Sequence, residues 1–193
     1  MKKLIVLALA SLSLSACASA SLPGAMAVDV SKSSMIDTQS PLSHAIAAPT
    51  VTGGKDTNPM WVSNVSNADF AEALRQTLAA NTMLSTDKAR FNLAAQLIQL
   101  KQPMMGFDMT VTAHVKYTLT DVTTGKVVWE KEITTPHTAT MSDAMLGVKR
   151  LQLANEGAIK ANIEQLVTEL IAESKTNAAM APLASVISRD LLG

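Results

Sequence analysis

The fold is decided by the segment FDMTVTAHVKYTLTD at residues 107–121. Apolar and polar residues alternate throughout it, and a period of two over such a length predicts a long β-strand with one buried face and one wet face. The wet face is rich in threonine and includes His114. The apolar face consists of Phe107, Met109, Val111, Ala113, Val115, Tyr117 and Leu119. Because a single strand cannot bury this face, other strands and helices must surround it.

Neighbouring segments supply the partner strands. A turn at Gly125, which suits a positive φ, predicts a hairpin whose return strand covers about 126–135. Upstream, residues 90–100 also alternate until the phase slips at Ile98, which predicts a β-bulge. A first, edge-like strand within 45–54 would bring the total from three strands to four.

Two helices are predicted around these strands. Residues 66–69 have the spacing of a capping box and precede an amphipathic pattern over about 67–83. Residues 140–143 have the same spacing and precede a long apolar stripe that extends to about residue 170, with a kink or a close helix approach at Gly157. The expected fold class is α+β, a two-layer sandwich of a three- to four-stranded, mainly antiparallel sheet with two helices on one face.

The N-terminus has the features of an export signal. Lys2 and Lys3 precede an apolar stretch at 4–14 that is too short to span a bilayer as a helix. We therefore expect residues 1–16 to be a cleaved signal peptide.

The sequence Leu14-Ser-Ala-Cys17 resembles the lipobox of bacterial lipoproteins. The resemblance implies a diacylglycerol thioether on Cys17 and cleavage just before it. An ordinary secretory signal cut near residues 18–20 is the alternative, but it leaves the chain's only cysteine unexplained. Ala18 is not the aspartate that commonly retains lipoproteins at the inner membrane. By resemblance to Gram-negative lipoproteins, the expected location is the periplasmic face of the outer membrane.

The composition of the mature chain divides it into three parts. Residues 17–42, rich in serine and alanine, are predicted to be a flexible lipidated tether, residues 43–173 a periplasmic domain, and residues 174–193 a tail that either forms a short helix or is only partly ordered. In the full sequence, lysine and arginine total 16, as do aspartate and glutamate. This balance, with no basic stripe and few aromatic residues, argues against a nucleic-acid partner.

Two further resemblances concern the domain. The element order and the segment at 117–129 resemble small periplasmic domains of envelope-assembly lipoproteins, including the lipopolysaccharide-assembly lipoprotein, the curli-secretion lipoprotein and auxiliary lipoproteins of lipid transporters. The segments at 102–111 and 150–163 look like an uncharacterised proteobacterial lipoprotein group, whose members are sometimes labelled UDP-N-acetylglucosamine acyltransferases. That resemblance implies no mechanism.

The candidate chemistry is sparse. Asp143 is one residue too far from His137 for the His-x4-Asp motif of glycerolipid acyltransferases, and the chain lacks hexapeptide repeats. His114 is expected to be a solvated neighbour on the wet face, and His44 lies in the tether or edge strand. No phosphate loop, nucleophile elbow or Cys/His metal spacing occurs. We therefore expect no catalytic residue, no metal site and no cofactor.

Four residues are candidates for binding, and each has a structural alternative. Met104 and Met105 form an apolar loop tip that is either a buried turn or a contact patch for a partner. Trp129 either lines a pocket or packs in the core. Glu156 either lies at a binding surface or forms an exposed pair with Lys160.

The function expected from these features is that of a non-catalytic binding or accessory module in the cell envelope. An envelope protein is the first expected partner, with lipid or polysaccharide second. The alternative is an envelope enzyme that acts on a lipid or sugar substrate, such as an acyltransferase.

Overall fold

The computed structural model describes residues 18–29, 36–60 and 62–181. The predicted signal peptide, Cys17 and the tail from residue 182 onward lie outside the described residues. The described elements, in chain order, are α1 (Pro23–Met26), β1 (Thr50–Thr52), α2 (Asn67–Ala80), β2 (Phe91–Lys101), β3 (Met109–Asp121), β4 (Val127–Ala139), α3 (Gly147–Thr176) and a 3-10 turn (Ala178–Met180).

The four strands form one open sheet in the order β1-β2-β3-β4. Short β1 runs parallel to β2, whereas the β2–β3 and β3–β4 pairs are antiparallel. The register of β2 against β3 shifts between Leu97 and Gln99, which confirms the predicted bulge at Ile98. With helices packed on the sheet, the predicted α+β fold class is confirmed.

The buried face of β3 forms the centre of the core. Val111, Val115 and Leu119 are inaccessible to solvent and face the long helix α3, while Thr112, Lys116 and Thr120 lie on the opposite, wet face. Tyr117 is also fully buried, and its hydroxyl donates a hydrogen bond of 2.8 Å to Oδ1 of Asn162 in α3. Burial raises the pKa of Tyr117 well above its ordinary value. The predicted strand register is therefore correct over β3.

Residues 18–29 and 36–42 differ from the predicted flexible tether. Met26 in α1 and Leu42 are fully buried, and Ile36 is largely buried. The backbone N–H of Val28 donates to Oγ1 of Thr77 in α2, at 3.0 Å. A few apolar side chains, spaced through a stretch of small and polar residues, are enough to hold this segment against the helices. Composition alone does not reveal this packing.

The starts of two elements also differ from the expectations. Phe107 precedes β3 and is 80% exposed, so it does not belong to the buried face. The capping box at residues 140–143 forms, because Asp143 accepts from the Thr140 N–H at 2.7 Å, but it closes a turn. Helix α3 begins later, at Gly147.

Helix α3 is continuous through Gly157, where a kink or a close helix approach was predicted. The close approach is made by a strand side chain instead, since a Cβ atom on Gly157 would overlap the ring of His137 in β4. Among the described residues, no helix combines the length and the hydropathy needed to cross a membrane.

Candidate functional site

Large apolar side chains are exposed at one end of the domain. Met104 is 100% exposed and Met105 is 89% exposed, so the predicted loop tip is a surface feature and not a buried turn. Other exposed apolar residues lie in the loop before α2 and in the connection from β4 to α3. We call the following set the apolar loop end: Met60, Met104, Met105, Phe107, Met141, Met145 and Leu146.

Strand pairing and side-chain hydrogen bonds bring these loops to the same end. Met109 pairs with Ala139, so the β2–β3 loop and the β4–α3 connection leave the sheet side by side. The side chain of Gln102 donates to the carbonyl of Ser63 at 2.8 Å, which ties the β2–β3 loop to the segment that follows Met60. The three loops therefore form one surface.

Most of this surface was missed from the sequence. Met145 falls within the apolar stripe predicted for the last helix, but it precedes α3 and is exposed. Met60 and Met141 lie in segments without periodicity, where a single apolar residue carries no local signal. The chain contains 11 methionines. Counting those that fall in predicted loops is the one sequence signal that could have indicated this surface.

The N-terminal segment begins beside this surface. The N–H of Ala18 donates to the carbonyl of Pro59, at 2.7 Å, directly before Met60. The hydroxyl of Ser63 donates to the carbonyl of Ser19, at 2.8 Å. These bonds fasten the first described residues to the loop that carries Met60.

A buried polar cluster in α3 holds the next residues of this segment. Oε1 of Glu156 accepts from the backbone N–H of Leu22 at 2.9 Å and from Nε2 of Gln152 at 2.8 Å. Gln152 also donates to the carbonyl of Ala20 at 2.9 Å. The side chain of Asn155 donates to the carbonyl of Ser63, at 2.9 Å. We call Gln152, Asn155 and Glu156 the buried polar cluster.

The cluster corrects the expectation of an exposed Glu156–Lys160 pair. Glu156 is only 4% exposed, and its described partners belong to the N-terminal segment and to its own helix. A buried carboxylate that accepts hydrogen bonds from a backbone N–H and an amide is well suited to holding a chain segment. Its role in this geometry is to position residues 20–22.

Trp129 is separate from the other candidate residues. It is 7% exposed and pairs with Leu119, so it packs in the core and is not open to a ligand. The Leu119–Trp129 pair and the Met109–Ala139 pair are ten residues apart along β3, which corresponds to about 33 Å. The β2–β3 loop, with its two methionines, adjoins the second of these pairs. The four candidate binding residues therefore do not form one site.

The wet face of the sheet carries polar and charged pairs. Nε2 of His114 lies 3.0 Å from Oε2 of Glu132, and Nζ of Lys116 lies 2.9 Å from Oε1 of Glu130. The Lys116 ammonium donates to Glu130 and lowers the pKa of that carboxyl. Both pairs are open to solvent, so they stabilise the fold little.

His137 is on the opposite face, against Gly157 in α3. It is not close to His114, because the side chains of the two residues are on opposite faces of the sheet. Within the described ranges, no three His, Cys, Asp or Glu side chains come together as a metal site.

A polar groove of about 390 Å³ follows the bulge of β2. Lys55, Asn64, Gln99 and Gln102 contribute polar groups to it. Two of these residues are already engaged, because Asn64 donates to the carbonyl of Asp56 and Gln102 to that of Ser63. The side-chain amides of these two residues are therefore already used within the protein, which leaves fewer polar groups of the groove for a ligand.

Two solved structures are similar in fold to this chain. A candidate lipoprotein from Caulobacter crescentus is 14% identical, and the match covers 68% of this chain and 90% of that protein with a TM-score of 0.50. A Xanthomonas campestris protein of the DUF330 family is 12% identical, with 70% and 87% coverage and a TM-score of 0.52. No family model matches this chain, and no curated protein matches it significantly. At these identities the likeness shows a common fold.

Proposed function

We propose that this chain is a lipid-anchored lipoprotein of the bacterial cell envelope, acylated at Cys17. Its domain would act as a non-catalytic binding or accessory module. The observation that carries the proposal is the attachment of residues 18–22, which directly follow Cys17, to the loop before α2 and to the buried polar cluster. An anchor at Cys17 would thus hold the folded domain itself at the membrane.

Two other observations support a lipoprotein. The lipobox-like sequence ends in the chain's only cysteine. The Caulobacter crescentus protein that has a similar fold is itself a candidate lipoprotein. Because Ala18 replaces the aspartate of inner-membrane retention, we place the anchor in the outer membrane, facing the periplasm.

The wet face of the sheet is the surface that we propose for a partner protein. It is broad, rich in threonine and carries the His114–Glu132 and Lys116–Glu130 pairs, whose polar atoms remain accessible. Among the described elements the helices pack on the opposite face, so a partner can approach these strands directly. An envelope protein with complementary polar groups fits this surface, with polysaccharide as the second class of ligand.

Replacement of Cys17 with serine tests the anchor. We expect the variant to lose the lipid mass on its N-terminal peptide and its processing by signal peptidase II, and we expect any mature product to move from the membrane fraction to the soluble periplasm. Ala18→Asp is the matched control, since it should keep the lipid and change the membrane in which the protein is found. An unmodified Cys17 in the native mature protein would contradict the proposal.

Crosslinking in whole envelopes tests the partner surface. The lipidated protein should capture a specific envelope protein, and Thr112→Arg with Thr118→Arg should abolish the capture by blocking the wet face. Glu164→Arg adds a comparable side chain at an exposed position of α3 and should leave the capture intact. Equal capture by both variants would exclude the wet face as the binding surface.

A further inference from the structure

The N-terminal segment runs along α3 in a direction that brings Ala18 to the apolar loop end. Ala20 is bonded to Gln152, and Leu22 is bonded to Glu156, one helical turn further along α3. Extending this parallel course backward leads toward the start of α3 at Gly147. The bond from Ala18 to Pro59 places the segment beside Met60. The segment therefore starts where the exposed apolar side chains are grouped.

Two of the three loops at this end are unusually apolar for a surface exposed to water. Segments 102–108 and 140–146 contain no lysine or arginine, and their acidic residues are Asp108 and Asp143. Asp143 is engaged locally, since the Thr140 backbone N–H and hydroxyl both donate to it and lower its pKa. Grouped, exposed methionine and phenylalanine side chains of this kind mark a contact surface.

We propose that the apolar loop end lies in the interfacial layer of the same lipid bilayer that holds the acyl chains of Cys17. This inference rests on the proposed lipid anchor. Met104, Met105 and Phe107 would enter the boundary between headgroups and acyl chains, as the apolar faces of interfacial segments do. Strand β3, which extends over about 40 Å, would lead away from this end toward the turn at Gly125.

The position of the anchor favours a bilayer over a protein as the occupant. Cys17 is bonded directly to Ala18, and Ala18 is fixed to the loop that carries Met60. No spacer separates the proposed lipid from the folded domain, so the loop end is held at the lipid surface at a high effective concentration. A partner protein would have to compete with the bilayer for the same side chains.

Site-specific fluorescence in vesicles tests the proposal. In the lipidated full chain, the acylated Cys17 leaves no other thiol, so Met105→Cys provides a single labelling site for an environment-sensitive dye. Thr123→Cys, in the exposed turn at the opposite end of β3, is the matched control. The proteins are reconstituted into vesicles of phosphatidylethanolamine and phosphatidylglycerol that contain a lipid-borne quencher. We expect quenching at position 105 to be about fivefold stronger than at position 123, as the interfacial position of the loops requires.

Three results would overturn the proposal. Equal quenching at the two positions would show that the loop end remains in water. A change in dye fluorescence at position 105 that depends on the density of protein in the vesicles, and not on the quencher lipid, would identify a second copy of the chain as the occupant. Reduced quenching at position 105 upon addition of an envelope extract would identify a protein as the stronger ligand.

A second arm separates this inference from the proposed lipid anchor. The Cys17→Ser chain, produced without the predicted signal peptide at residues 1–16, has neither the lipid nor the apolar stretch at 4–14, so its flotation with the same vesicles depends on the loop end alone. Combined replacement of Met104, Met105 and Phe107 with glutamine should lower this partitioning about tenfold, because less apolar surface reaches the lipid. If the Cys17→Ser chains with and without the glutamine replacements partition equally, the inference is overturned. Failure of the wild-type chain to acquire lipid overturns only the proposed anchor.

Discussion

Replacing Glu156 with alanine should release the N-terminal segment while leaving the domain folded. Glu156 is buried, and its Oε1 accepts from the Leu22 N–H at 2.9 Å and from Gln152 at 2.8 Å. A hydrogen bond to a charged group contributes about 1.5–3 kcal/mol, and the unpaired donors left behind are costly when buried. At 1.36 kcal/mol per factor of ten, we expect the protection of residues 20–28 against hydrogen exchange to fall about 10- to 150-fold.

Hydrogen exchange measured by mass spectrometry reports this change directly. Peptides from residues 20–28 should exchange faster in Glu156→Ala, while peptides from β3 keep their protection. Glu164→Ala is the matched control, because it removes an exposed carboxylate from the same helix. Glu156→Gln should lie between the two, since its amide oxygen can still accept both bonds.

Unchanged exchange of residues 20–28 in a folded Glu156→Ala variant would refute this reasoning. An equal increase in the exchange rate of β3 peptides would also refute it, because the segment and the core would then open together. Either result would mean that the buried polar cluster does not fasten the segment independently.

Three further predictions concern the core, the pH dependence and the histidines. Val115→Ala should destabilise the domain by about 1–3 kcal/mol in urea unfolding and Lys116→Ala by less than about 0.5, because only Val115 is buried; equal losses would mean that the register is reversed. Hydrogen bonds from the backbone N–H of Thr124 and from further donors lower the pKa of Asp121. The ionised carboxylate therefore stabilises the fold fully at a pH above the ordinary carboxyl pKa, and this contribution is lost as the pH falls through the lowered pKa. The urea midpoint of Asp121→Asn should therefore lie below that of the wild type at pH 7, with a difference that shrinks below pH about 4; a constant difference would exclude this linkage. Replacing His44, His114 and His137 together with glutamine should leave folding and complementation of a deletion strain intact. Because His114 lies on the proposed partner surface, a folded triple variant that fails to complement would favour an enzyme only if the His114→Gln single variant still complements.

The strands and the first long helix were predictable because their signals are local. Alternation over β3 reports which face is buried, and Ser66 accepts from the Asp69 N–H as the capping box requires. The same spacing at Thr140 and Asp143 forms its hydrogen bonds without starting α3. A local pattern therefore identifies a turn of the backbone reliably, but the packing of the neighbouring segments decides whether a helix continues from it.

The candidate site was less predictable for the same reason. Met104 and Met105 were recognised as a loop tip, but nothing local indicates that Met60 and Met145 lie at the same end of the domain. Glu156 looked like half of an exposed helical pair because Lys160 follows at the favourable spacing. Its burial depends on residues 20–22, which no periodicity connects with α3.

The sequence by itself determined the fold class, the long central strand with its buried face, and the lipobox-like segment that ends at Cys17. Each of these is encoded by residues close together in the chain, where periodicity and spacing act directly. Only the tertiary structure decided that residues 18–29 pack on the helices, that Glu156 is buried and that three loops form one apolar surface. The Leu22–Glu156 bond joins residues 134 positions apart, and such a contact exists only after the chain has folded.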